Sequence, residues 1–319
     1  MMPKLSSLDE KRLLVKVSKL YYEEGWSQDE ILERLNLSRS KISRLLQQAR
    51  EAGIVQIAVV TPKHLFSDLE TRLERQFGLQ EALVVESRAE DSPESIQRGL
   101  GAAAAAYLER SLNGFHALGI SWGATLNSMV AAVRPQTGFS GKVVQIIGGL
   151  GRPEAEVHAT ELCLRLARAL HAQPVLLPAP GIVPTPQARD VLLADADIQR
   201  AAALFGQLDL VFVGIGAPTS DSVLMRVGSI LSAEELSLLR EQGVVGDIAL
   251  RFFDENGQPV ESEIDRRVVG ITLEQLKQAR RVIGVAGGLQ KIQSIRGALR
   301  GGLLNVLITD SLTAERLLE

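Results

Sequence analysis

The chain has one cysteine, four histidines and no run of 18 consecutive apolar residues in its 319 positions. A lone thiol excludes an intramolecular disulfide framework and a cysteine zinc cluster. Cys163 stands between Leu162 and Leu164 in an Ala/Leu-rich stretch, which reads as core packing. Without a long apolar run there is no candidate membrane-spanning helix, and the charged start carries no apolar signal segment. A cytoplasmic protein with no membrane partner is expected. No cluster of ligand-type side chains points to a metal, and no cofactor is expected. The chain also lacks a basic excess: 35 Lys+Arg stand against 38 Asp+Glu, a net charge of −3. Residues 1–60 hold 10 basic and 8 acidic residues, and the remainder holds 25 and 30. The protein as a whole is therefore no general polyanion binder, and any nucleic-acid contact is local to the N-terminal part.

That part carries a helix-turn-helix pattern. Ile31, Leu32 and Leu35 share one face of a first helix. Asn36-Leu37-Ser38 makes a turn short enough for a tight crossing. Ile42, Leu45, Leu46 and Ala49 then recur at helical spacing on a second helix over Ser38–Ala52. Ser38 is placed to cap this helix and Gly53 to stop it. Its polar face holds Arg39, Ser40, Lys41, Ser43 and Arg44, all in the half that enters the major groove in this motif. An earlier helix over Leu8–Glu24, ended by Gly25, and a seal at Trp26 complete a three-helix core. The alternation over Ile54–Val59 predicts a wing strand. Residues 1–60 thus read as a winged helix-turn-helix for double-stranded DNA, and residues 61–80 as a linker helix. Its stripe of Leu65, Leu69, Leu73 and Phe77 serves either a linker or dimer seam or packing on its own domain.

Residues 81–319 alternate apolar strands with helices, the pattern of a mostly parallel, doubly wound α/β domain. Strands are expected at Ala82–Val85, Ala117–Ile120, Val143–Ile147, Val175–Leu177, Leu210–Ile215, Val282–Ala286 and Val306–Thr309. Helices are expected near Ser92–Leu112, Ala124–Val133, Ala155–His171, Pro186–Phe205, Ala233–Gln242 and Leu289–Leu299. Ligands of such sheets bind beyond the carboxyl ends of the strands. There the chain places Ser121-Trp122-Gly123-Ala124-Thr125 before a helix, an arrangement of free N–H groups and hydroxyls that suits an anion. It has neither the P-loop ending nor the dinucleotide spacing. Two more glycine-rich strand ends follow, Gly148-Gly149-Leu150-Gly151 and Gly287-Gly288-Leu289-Gln290-Lys291. A lysine in the first turn of a helix opposes the helix dipole, and an anion beside Lys291 resolves the conflict. Asp247 is suited to accept hydrogen bonds from sugar hydroxyls. A small phosphorylated polyol fits this set, with Ser121, Gly123, Thr125 and Lys291 as donors.

In the stretches 26–57, 119–126 (GISWGATL), 246–257 (GDIALRFFDENG), 266–271 (RRVVGI) and 282–318, the chain resembles the SorC family of bacterial transcriptional regulators. The resemblance implies an effector domain similar in fold to sugar-phosphate isomerases and deaminases, a phosphorylated sugar as effector, and a homotetramer with paired DNA-binding heads. It implies phosphate contacts at Ser121–Thr125 and Lys291, and ligand contacts near Gly148, Gly149 and Asp247. Divergent loops, here Pro178–Gln187 and Ala217–Arg226, would set the choice of sugar. The fold relation makes an isomerase or deaminase the rival reading, and an architectural DNA binder without ligand response a third. Catalysis at a sugar carbon needs a positioned acid or base. Of the four histidines only His158 follows a glycine-rich strand end, and Asp195, Asp197 and Asp209 form no acid/base spacing. A regulator rather than an enzyme is expected.

Overall fold

Serine caps punctuate the N-terminal helices, Ser38 as the sequence predicts and Ser27 in addition. In the computed structural model residues 8–57, 65–136, 139–149, 159–219 and 231–319 are described, and the chain divides into two compact units, Met1–Pro62 and Lys63–Glu319. In the first unit the helix Leu8–Ser18 runs on through a wider turn, Lys19–Glu23. The second helix, Gln28–Leu35, starts with a reciprocal cap. Ser27 Oγ accepts the Glu30 N–H at 3.3 Å, and the Ser27 N–H donates to Glu30 Oε2 at 2.7 Å. Asn36 closes it in the left-handed region at φ 51°, one of the few non-glycine residues suited to that conformation. Ser38 caps the third helix, Arg39–Glu51. Leu14, Val17, Leu20, Ile31, Ile42, Leu45, Leu46 and Ala49 form the buried core of the unit. Trp26 packs at its rim beneath the Arg34 guanidinium, 4.6 Å from the ring centroid. Ile54–Ile57, the described part of the expected wing, adopt no strand; the rest of that stretch, Ala58 and Val59, lies outside the described residues.

The second unit is built on a seven-stranded parallel sheet. Its strands are β1 (Glu81–Val85), β2 (Ala117–Ile120), β3 (Lys142–Gln145), β4 (Gln173–Val175), β5 (Leu210–Val213), β8 (Arg281–Val285) and β9 (Val306–Asp310). They lie in the order β1-β9-β8-β5-β2-β3-β4. β6 (Gly246–Ile248) and β7 (Arg251–Phe253) form a separate antiparallel hairpin. Central strands β2, β5 and β9 are buried at every position, because helices cover both faces of the sheet. One core layer gathers Val211, Val213, Leu307 and Leu317, and the other Leu118, Ile120, Phe212 and Tyr107. Each such side chain contributes ~1.5–3 kcal/mol by leaving water.

The helix Ser67–Phe77 lies along edge strand β1. Its Glu74 and Glu70 carboxylates accept the outward N–H groups of Ala82 at 3.0 Å and Val84 at 2.9 Å, which closes an otherwise open sheet edge. Burial of Glu70 in this role pushes its carboxyl above the ordinary range. Leu73 is fully buried in the domain core, with Phe66, Leu69 and Phe77 packed around it. The leucine stripe of the expected linker therefore packs on its own sheet, and only Leu65 stays largely exposed. The long helix expected over Pro186–Phe205 is two helices, Pro186–Leu193 and Ala196–Ala202. Asp195 breaks the run by accepting the N–H groups of Asp197 and Ile198 as an N-cap.

From β2 the chain steps outward to β3 and β4, and from β5 it steps the other way to β8 and β9. The adjacent pair β2 and β5 is thus the switch point at which an open α/β sheet leaves a crevice beyond its carboxyl ends.

Candidate functional site

That crevice holds a cavity of about 190 Å³. β2 delivers Ser121, Trp122 and Gly123 into it, and the helix Ala124–Ala132 begins at its wall. Gly123 has φ 129° and supplies no side-chain cap to that helix, a conformation that only glycine adopts without strain. The helix therefore presents its first N–H groups and the positive end of its dipole to the cavity. Ser121 and Thr125 are buried there, and neither hydroxyl hydrogen-bonds a described residue.

The segment after β5, Gly214–Ala217, also lines the cavity. The backbones of Gly216 and Asp247 bond reciprocally, Gly216 N–H to Asp247 O at 2.9 Å and Asp247 N–H to Gly216 O at 3.2 Å. A methyl group on Gly216 would overlap the Asp247 carboxylate, so this glycine makes room for it. The two-residue turn Ala249–Leu250 that joins β6 to β7 has φ 52° and 62°. Hairpin turns of this hand favour Asn-Gly, and two ordinary side chains there store ~1–3 kcal/mol each. Leu250 N–H donates to Asp247 Oδ2 at 3.2 Å, which fixes the carboxylate against the cavity. Arg251, next along the hairpin, binds Ile271 O, Gly270 O and Asp265 and anchors the strand instead of lining the cavity.

β8 leads through Gly287 and Gly288 into a short 3-10 turn, Leu289–Lys291, and then the helix Ile292–Arg300. Lys291 lines the same cavity as Gly123 and also a second one of about 220 Å³, which Gln97, Gln290 and Asp310 help to line. Burial lowers its amine pKa, with Asp247 acting in the opposite sense. Burial likewise raises the Asp247 carboxyl to about 6, against the Leu250 hydrogen bond and the attraction of Lys291. Among the described residues no carboxylate forms a contact ion pair with Lys291.

The structure thus brings together Ser121, Trp122, Gly123, Thr125, Asp247 and Lys291. Gly148 and Gly149 line neither cavity. The Gly148 N–H binds Val269 O at 3.0 Å and the Gly149 N–H binds Ala179 O, in the loop after β4, at 2.8 Å. Of the two loops expected to choose the sugar, Pro178–Gln187 supplies no lining residue, whereas Ala217 and Thr219 of the other do; Ser220–Arg226 lie outside the described residues. Sequence reasoning missed Gln97, Gln290 and Gly214–Gly216. Gln97 sits on the helix Pro93–Ser111, and only the sheet order brings that helix to the cavity.

The remaining acids and histidines have other duties. Asp209 Oδ2 accepts the N–H groups of His116 and Ala117 at 2.8 and 3.1 Å, Asp195 caps a helix, and Asp197 pairs with Arg200. His116 and His171 line a groove of about 480 Å³ at the amino ends of the strands. That groove is larger, but its lining is open and lies opposite the end where such sheets bind ligands. His64 and His158 lie outside the described residues. Cys163 is buried with its thiol raised to about 12 by that burial, and its Sγ contacts Val143 O at 3.4 Å.

On the first unit, Arg39, Ser40, Lys41, Ser43 and Arg44 are all exposed on the helix Arg39–Glu51, opposite the buried Ile42, Leu45, Leu46 and Ala49. Asp29 lies 3.8 Å from Arg39 in an exposed pair that water and salt weaken. Gln47, one turn beyond Ser43 and Arg44, is exposed too and reaches Glu51; sequence reasoning left it aside. Arginine and amide side chains on such a face match the hydrogen-bonding edges of guanine and adenine.

A family model described as "Putative sugar-binding domain" matches residues 62–319. The deoxyribonucleoside regulator of Bacillus subtilis (strain 168) is 35% identical over 309 residues, covering 97% of this chain and 98% of that protein. The sorbitol operon regulator of Klebsiella pneumoniae is 34% identical over 322 residues, covering 99% and 100%. The crystal structure of the full-length sorbitol operon regulator SorC from Klebsiella pneumoniae superposes with a TM-score of 0.75 at 33% identity, over 98% of this chain and 100% of that one. These relatives are named as regulators and not as enzymes.

Proposed function

Because the chain belongs to the SorC family of sugar-binding transcriptional regulators, we propose that its effector is a phosphorylated sugar held between Gly123, Asp247 and Lys291. The observation that carries this reading is the pairing of a half-buried lysine, free of any contact carboxylate among the described residues, with an uncapped helix N-terminus in the same cavity. Each is an unfavourable arrangement alone and a favourable one around an anion. In this reading the phosphate takes the N–H groups that follow Gly123, the hydroxyls of Ser121 and Thr125, and the Lys291 ammonium. The Asp247 carboxylate accepts hydrogen bonds from sugar hydroxyls, and Trp122 packs beside the sugar.

Arg39, Ser40, Lys41, Ser43 and Arg44 read operator DNA in the major groove, from a homotetramer acting in the cytoplasm. The sugar shifts the balance between arrangements of the effector domains and so the spacing of the DNA-binding heads. Supporting the multimer is the modest local charge, 10 basic against 8 acidic residues over the first 60, which suits several half-sites engaged together. The reading is tested by thermal unfolding against a panel of sugars, each with and without phosphate. A ligand at ~100 times its dissociation constant stabilises the native state by ~2.7 kcal/mol. Stabilisation by phosphorylated members alone is expected, and equal stabilisation by the free sugars would remove the phosphate from the reading.

A further inference from the structure

Asp310, the last residue of β9, is buried among hydrogen-bond donors and forms no contact ion pair among the described residues. Oδ1 accepts the Ser87 hydroxyl at 2.9 Å and the Thr313 N–H at 2.9 Å. Oδ2 accepts the Gly288 N–H at 2.8 Å and the Thr313 hydroxyl at 2.6 Å. One of these bonds, from the Thr313 N–H, is a helix N-cap, since Asp310 opens the helix Ser311–Leu317. The Gly288 bond is not needed for that cap. It reaches across to the turn between β8 and the helix that follows, where Gly288 has φ 97°. The Thr313 hydroxyl accepts the same N–H at 2.9 Å, so one amide is held by two acceptors. Gly287 packs so closely on Oδ2 that a methyl group there would overlap it. The Gly288 carbonyl in turn accepts the Lys291 N–H at 2.9 Å.

We propose that Asp310, with Thr313, is a positioning residue of the effector site: it fixes the Gly287–Gly288 turn, and through it the place of Lys291 between the two cavities. This rests on Lys291 being an effector contact, as in the function proposed above. The chemistry requires a carboxylate. An asparagine has one acceptor oxygen, so whichever way its amide turns, either the Gly288 or the Thr313 N–H faces a donor. The same carboxylate caps the helix Ser311–Leu317, which packs on Ser67–Phe77, so the turn that carries Lys291 and that pair of helices share one anchor.

The test compares the full chain with Asp310→Asn, Thr313→Val and Thr313→Ser. Lys291 is followed by NMR through ¹³C-dimethylated lysines, its resonance assigned by loss in Lys291→Ala, and inorganic phosphate is the probe ligand. In Asp310→Asn the released turn lets Lys291 titrate nearer the ordinary lysine range, and phosphate affinity falls ~10-fold, as for one buried charge-assisted hydrogen bond. Thr313→Val gives a smaller change in the same direction, and Thr313→Ser restores wild-type behaviour. A folded Asp310→Asn protein with a lower melting temperature but an unmoved Lys291 titration would overturn the proposal, since a purely structural cap behaves that way. If Asp310→Asn fails to fold, an unmoved titration in Thr313→Val overturns it instead. Failure of phosphate to bind the wild-type protein counts against the phosphate reading of the cavity, while the Lys291 titration still decides the role of Asp310.

Discussion

Replacing Asp247 by asparagine should stabilise this protein at neutral pH while impairing its site. The carboxyl is 7% exposed, and burial raises its pKa from the ordinary 3.8 to about 6. Below pH 3.8 the group is protonated in both folded and unfolded chains and costs nothing. Between 3.8 and about 6 the unfolded chain ionises first, so stability falls as pH rises. Above that window the full difference is present, up to ~3 kcal/mol at about 1.36 kcal/mol per pKa unit. The asparagine carries no such cost and still offers an oxygen to the Leu250 N–H, although Lys291 loses an attractive neighbour and takes back part of the gain. For a domain of this size the gain corresponds to a melting temperature raised by roughly 6–12 °C at most. Thermal unfolding of both proteins from about pH 4 to 8, without effector, is the assay. The difference should grow through the lower half of that range and level off above about 6. An asparagine variant that is less stable near neutral pH, or a difference that does not change with pH, would show that the carboxylate is not held ionised in a desolvated pocket. The same variant should need a higher concentration of the phosphorylated sugar, as a strained, destabilised site exchanges stability for binding.

Gly216→Ala forces its new methyl group onto the Asp247 carboxylate; urea unfolding should show ~1–3 kcal/mol of lost stability, and an unchanged midpoint would contradict the close approach. Arg44→Ala should weaken operator binding and relax preference at one base pair by ~1–3 kcal/mol, whereas equal losses on operator and random DNA would mark Arg44 as a phosphate contact only. Cys163, buried with its thiol raised to about 12, should resist a thiol reagent until the protein unfolds, and rapid labelling of the native state would argue against its core position.

Much of the architecture is legible in the residues because local chemistry and the fold agree. Ser38 caps a helix where its place before the apolar stripe says it should. The seven expected strands correspond to those of the main sheet, each within two residues at either end. What escaped reading has identifiable causes. The β6–β7 hairpin turns on Ala249–Leu250, which carry none of the glycine or asparagine that normally announces such a turn. The helix Ser311–Leu317 is only two turns long and leans on Asp310 and on the helices around it, so its stability is tertiary and not local. In the site, Ser121, Gly123, Thr125 and Lys291 follow strands and were visible as strand-end chemistry. Gly148 and Gly149 follow a strand too, but their N–H groups are taken by Val269 O and Ala179 O, acceptors distant in the chain that no local pattern announces.

The central claim, a DNA grip governed by a phosphorylated sugar at Lys291, meets its most direct test in one titration. Fluorescence anisotropy would follow binding of the wild-type protein and Lys291→Ala to a duplex selected from random DNA, with and without the best phosphorylated sugar and its free counterpart. The phosphorylated sugar alone should shift the wild-type binding curve. Lys291→Ala should bind the duplex as tightly as wild type and show no shift. A Lys291→Ala protein that responds at the same sugar-phosphate concentration as wild type, or a wild-type curve moved equally by the free sugar, would contradict the claim.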